Sequence, residues 1–191
     1  MSLVDPGSGF RALILALVLL TAPDAVFAAD RDYTVTAPDG LVLAVHESGD
    51  PDGVPVIFVH GLLGSRLNWN EQLTDSRFQR YRLITYDLRG HGLSGKPSDA
   101  TAYTDGRRWA NDLATIIAST HAKKSILVGW SLGGAVISNY LATHGDKDIA
   151  GAVYLGGVCE LKPDQIVAHP EVYRDMPASE LEHPPATTVE R

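Results

Sequence analysis

Cysteine is almost absent from this chain: Cys159 is the only one in 191 residues. No disulfide can form within it, so the fold must rest on packing and hydrogen bonds. Aromatic residues are few, at 7%. Positive charge is short too, with 16 Lys and Arg against 23 Asp and Glu, for a net charge of −7. The basic residues form no long run, which argues against a nucleic-acid ligand, whose phosphates need a basic face. The longest apolar run, Ala12 to Leu20, falls short of the roughly 20 residues a bilayer span requires. What is present is ordinary for one globular domain: 45% hydrophobic and 20% charged residues.

The opening stretch, MSLVDPGSGFRALILALVLLTAPDAVFAAD, has the layout of an export signal. Arg11 precedes the apolar core, Pro23 follows it, and Val26-Phe27-Ala28 is a small-residue cleavage site. Residues 1–28 are expected to be a signal peptide, which makes the protein exported, periplasmic or secreted. An uncleaved N-terminal anchor is the alternative, and would be the only contact with a membrane.

Beyond it, short apolar runs alternate with helical patterns. YTVTA (Tyr33 to Ala37) and LVLAVHE (Leu41 to Glu47) flank Asp39-Gly40, a hairpin signal. VPVIFVH (Val54 to His60), RLITYD (Arg82 to Asp87), SILVGW (Ser125 to Trp130) and IAGAVYLG (Ile149 to Gly156) are continuous apolar strands of the kind buried on both faces. Thr104 or Asp105 caps a helix through GRRWANDLATIIAST, with Trp109, Leu113, Ile116 and Ile117 facing the sheet. A second helix starts after Ser131 and stops at Gly145. A hairpin followed by strand–helix alternation predicts an α/β fold with a mostly parallel, doubly wound sheet. From Glu160 onward the pattern changes: five prolines and little periodic apolar content predict an irregular, partly helical excursion.

Three loops carry chemistry. LVGWSLGG (Leu127 to Gly134) places Ser131 between Gly129 and Gly133, after a strand and before a helix. A serine hydroxyl attacks only when a base takes its proton and donors receive the oxyanion. A sharp strand-to-helix turn exposes the side chain, and its crowding requires small residues two before and two after. The bland alternative is a glycine-rich connection without chemistry. VHGLLGS (Val59 to Ser65) is a His60-Gly61 turn able to bring the Leu62 N–H beside that serine, where it would join the N–H of Leu132 as a two-donor oxyanion hole. YDLRGHGLSGKP (Tyr86 to Pro97) reads as a structural loop that Asp87 and Arg89 hold by pairing and hydrogen bonds.

As an ordered set, these three blocks resemble the α/β-hydrolase family, in its esterase, lipase and cofactor-free haloperoxidase-like branch. The resemblance runs from about Val54 to Gly156. It implies an eight-stranded sheet, a Ser-acid-His triad, no metal and no organic cofactor. Serine at the nucleophile position implies acyl transfer to water on a small ester-like substrate, and disfavours the relatives that attack through a carboxylate. The family order is serine, then acid, then histidine. No apolar strand followed by Asp, and no late Gly-His turn, follows Gly157. His60 is expected to brace the oxyanion turn and His91 to serve the structural loop. His46, His121 and His144 are poorly placed, and His169 and His183, like Asp164 and Asp175, lie in the Pro-rich segment. Residues 29–158 are therefore expected to be a partial hydrolase core lacking its last strands, with 159–191 beginning a lid. The expectation is a truncated hydrolase, or one completed by a second chain. Its alternative is a non-catalytic protein binding a small apolar ligand or a partner chain. Trp130 either lines the pocket or packs on the sheet.

Overall fold

The structure is a computed structural model, and residues 30–157 are described. Residues 1–28, expected from sequence to be an export signal, and the Pro-rich segment lie outside them.

Six strands form one sheet in the order β1-β2-β4-β3-β5-β6. They are β1 (Arg31–Thr36), β2 (Val42–Gly49), β3 (Pro55–Val59), β4 (Arg82–Tyr86), β5 (Ser125–Trp130) and β6 (Ile149–Leu155). The β1–β2 and β2–β4 pairs are antiparallel, while β4, β3, β5 and β6 run parallel. The expected hairpin is there, with Thr36 opposite Val42. Its connection is longer than a two-residue turn and is closed by the Ala37 N–H on the Leu41 carbonyl at 2.8 Å. Gly40 takes the left-handed conformation inside it, φ 84°.

Helices cover both faces. Helices α3 (Gly106–Ser119) and α4 (Leu132–His144) pack on one side. Asp105, not Thr104, caps α3, its carboxylate accepting from the Arg107 N–H at 2.9 Å. Trp109, Leu113, Ile116 and Ile117 face the sheet as their spacing requires, against Ile57, Val59, Ile84 and Leu127. The other face is thinner. There Val56, Phe58 and Leu83 meet Trp69 and Leu73, from a 3₁₀ turn (Arg66–Trp69) and helix α1 (Asn70–Thr74). Adjacent residues of β3 thus enter opposite cores, which explains why that strand reads as an unbroken apolar run. Helix α2 (Thr101–Thr104) is a single turn leading into α3.

At the far side, β6 is the last strand among the described residues, paired only to β5. Val153 and Leu155 are each 43% exposed there. The chemistry-bearing loops follow the C-terminal ends of β3, β4 and β5, so the sheet gathers them at one edge.

Candidate active site

Ser131 sits between β5 and α4 with φ 51° and ψ −117°. This is a left-handed backbone on a residue with a Cβ, a conformation that survives only where the surroundings enforce it. The enforcement is visible. The Ser131 N–H donates to the Leu155 carbonyl at 3.1 Å, and the Ser131 carbonyl accepts from the Gly134 N–H at 2.9 Å. A methyl group on Gly129 would lie 2.7 Å from the Gly133 carbonyl carbon and oxygen. One on Gly133 would lie 2.2 Å from the Val59 carbonyl oxygen. The bend can close only because both positions lack a side chain. Ser131 itself is partly exposed, and no described group hydrogen-bonds its hydroxyl.

The His60-Gly61 turn lies directly against this bend. A Cβ on Gly61 would be 3.1 Å from both the Ser131 Cβ and the Trp130 ring. Among the described residues neither the Leu62 nor the Leu132 N–H has an acceptor. Trp130 is 41% exposed, its ring against the Gly61 turn. The alternative of an indole buried on the sheet is thereby settled against.

His60 lies within the turn and bonds through both of its ring nitrogens. It is fully buried, its Nε2 accepting from the Leu88 N–H at 3.0 Å and its Nδ1 2.7 Å from the Gly61 carbonyl. Those contacts require the neutral tautomer with the proton on Nδ1. Burial pushes its pKa down to about 4, with His91 adding to the fall and the Gly61 carbonyl and Asp87 opposing it. With both nitrogens engaged, His60 is no base for Ser131. His91 stands edge-on to it, ring centroids 5.1 Å apart, and burial lowers its pKa too. His46 pairs with Asp32 at 3.2 Å and His144 with Asn111 at 3.0 Å. No described histidine bonds to Ser131. His169, His183, Asp164 and Asp175 lie outside the described residues.

The structural loop requires a correction. Asp87 and Arg89 both hold it, but not by pairing with each other. The fully buried Asp87 carboxylate accepts from the Arg66 N–H at 2.6 Å, the Arg66 guanidinium at 3.0 Å and the Leu93 N–H at 2.8 Å. It ties the segment following the Gly61 turn to the end of β4. Gly92 permits this, since a Cβ there would sit 2.2 Å from the carboxylate. Arg89 points the other way and grips Asp112 of α3 with two bonds, 2.7 and 2.8 Å. It also reaches the Ala102 carbonyl and Asp39. Adjacent alternate residues diverge because the loop leaves the strand between two layers. Arg66 and Asp112 were not singled out from sequence. Asp112 carries one signal: it lies three residues after Trp109 and four before Ile116, on the buried face of α3, where a charge demands a partner.

The described residues contain no group of three or more His, Cys, Asp or Glu side chains able to hold a metal ion. None of the described helices is long and apolar enough to cross a membrane.

Comparison with known proteins identifies the fold family. The family model described as alpha/beta hydrolase fold matches residues 54–190. This chain belongs to the α/β-hydrolase family. It is 33% identical over 125 residues to a non-heme chloroperoxidase from Streptomyces lividans, covering 65% of this chain and 44% of that protein. It is 35% identical over 124 residues to a non-heme haloperoxidase from Rhodococcus erythropolis, covering 65% and 43%. Among solved structures, a candidate aryl esterase from Burkholderia cenocepacia is 79% identical with a TM-score of 0.74, covering 80% of this chain and 56% of that one. The chain therefore spans about half the length of the relatives it matches. The six-stranded, mostly parallel sheet described here is part of that fold.

Proposed function

We propose that this α/β-hydrolase is an exported serine hydrolase that cleaves ester-type acyl bonds. The observation that carries the reading is the Ser131 bend: a strained, partly exposed serine at the head of α4, with the Gly61 backbone against its Cβ. Ser131 Oγ attacks the substrate carbonyl carbon, and the carbonyl oxygen becomes an oxyanion. The N–H groups of Leu62 and Leu132 receive that charge, each contributing about 3 to 4 kcal/mol to the transition state. The N-terminus of α4 adds its positive end. A histidine takes the serine proton and returns it to the leaving group, and an acid orients that histidine. Both come from outside residues 30–157. The candidate aryl esterase among the related structures supports ester chemistry, and the Arg11-to-Ala28 pattern supports export.

Treatment of the purified chain with a fluorophosphonate probe, followed by peptide mapping, tests the proposal. An adduct at Ser131 that disappears in Ser131→Ala is expected. A folded chain that takes no label would refute an activated serine and favour a non-catalytic binding role.

A further inference from the structure

A second cleft opens at the other end of α3 and α4. It has a volume of about 270 Å³, and its floor is formed by Ile117 and Tyr140. Ser131 precedes the first residue of α4, whereas the cleft gathers around its last turn. The 13 residues of that helix separate the two by roughly 20 Å at 1.5 Å per residue. The cleft is therefore distinct from the catalytic edge of the sheet.

Its rim carries two lysines, Lys123 and Lys147. Among the described residues every arginine except Arg80 is paired with a carboxylate. The lysines of this rim are not. The neighbouring Lys124, outside the cleft lining, is occupied by the Lys147 carbonyl at 2.9 Å, whereas the Lys123 and Lys147 ammonium groups have no partner among the described residues. Both side chains are exposed on a chain of net charge −7. One carboxylate, Asp148, also lines the cleft. Two ammonium groups less one carboxylate leave a charge of +1 from the lysine and aspartate side chains of the rim.

We propose that this cleft binds a small organic anion: an apolar body carrying one carboxylate. The charge on the rim is balanced by a single negative group. The aromatic and aliphatic floor needs an apolar body, and a fully hydrated inorganic anion would leave it uncovered. The volume falls just below the roughly 300–1,000 Å³ of clefts that take drug-sized ligands, and matches a smaller occupant. The carboxylate meets Lys123 and Lys147, and the apolar body lies over Ile117 beside the Tyr140 ring.

The test is a titration of the ¹⁵N-labelled full chain with sodium benzoate, with sodium chloride and sodium phosphate at matched ionic strength as comparisons. Saturable shifts are expected for benzoate at the amides of 118–123 and 144–148, and not for either salt. In the double variant Lys123→Gln/Lys147→Gln the affinity falls by about tenfold or more, the scale of a lost hydrogen bond to a charged group. Both lysines are exposed, so the variant keeps its fold. Absence of saturable shifts at those amides, equal shifts with phosphate, or an unchanged affinity in the double variant would overturn the proposal. The readout is independent of Ser131 labelling, so the two proposals fail separately.

Discussion

Gly133→Ala sets two effects of opposite sign against each other. Position 133 lies in the first turn of α4, and helix propensity alone favours alanine over glycine by about 1 kcal/mol. Sterics oppose it. The new Cβ would stand 2.2 Å from the Val59 oxygen, 2.8 Å from the Val59 carbonyl carbon and 2.9 Å from the His60 oxygen. All three atoms are backbone, at the end of the central strand β3, so no side chain can rotate aside. Relief requires α4 and β3 to separate by about 1 Å, far beyond what a packed core yields freely. Overpacking of this kind costs roughly 1–3 kcal/mol, and the backbone setting places it at the upper end. The net expectation is a loss of about 2 kcal/mol, a large share of a typical domain's 5–15 kcal/mol. Gly151→Ala is the control, because a Cβ there meets nothing within 4 Å and the backbone is ordinary. It should be neutral or stabilising by up to about 1 kcal/mol. Urea unfolding followed by tryptophan fluorescence compares them. A Gly133→Ala chain at least as stable as wild type, with unaltered probe labelling at Ser131, would refute the claim that this bend depends on the missing side chain.

Two further outcomes follow from buried groups. Asp112→Ala leaves the Arg89 guanidinium, 1% exposed, with only the longer Asp39 contact and backbone carbonyls, and should cost about 3 kcal/mol, whereas Arg89→Met with Asp112→Leu should recover most of it; chemical unfolding of both variants checks this, and equal losses would refute it. For His60, the folded pKa of about 4 lies below the ordinary 6.5, so the fold holds the neutral ring. Its contribution is complete above pH 6.5 and is lost as pH falls from there toward 4, by up to about 3 kcal/mol. The drop in the urea midpoint over that interval should be smaller in His60→Gln, which cannot ionise, and parallel slopes would count against the assignment.

Much of the fold is written in short-range pattern. The span of β5, the start and stop of α4 and the sheet-facing residues of α3 are local matters of periodicity, caps and glycine. So is the Ser131 bend: a β-branched strand, a serine between spaced glycines and a helix together admit one backbone course. The unbroken apolar runs also announced the parallel strands, with both faces buried in β3 and β4 but not in β6, where Val153, Tyr154 and Leu155 are exposed. The 3₁₀ turn at 66–69 and α1 escaped notice, being too short to develop a period.

Partner choice is where sequence stopped and tertiary structure decided. Asp87 and Arg89, two positions apart, suggested a local pair, yet each bonds to a residue more than twenty positions away. Glu47 likewise receives Arg31 and Arg82 because β2 lies between β1 and β4. No local signal encodes that arrangement, since β4 enters the sheet between two strands that precede it in the chain. The exposure of Trp130 and the separation of the lysine-rimmed cleft from Ser131 have the same origin. Backbone conformation is set by neighbours along the chain, whereas charge partners and clefts are set by whichever elements the sheet order brings together.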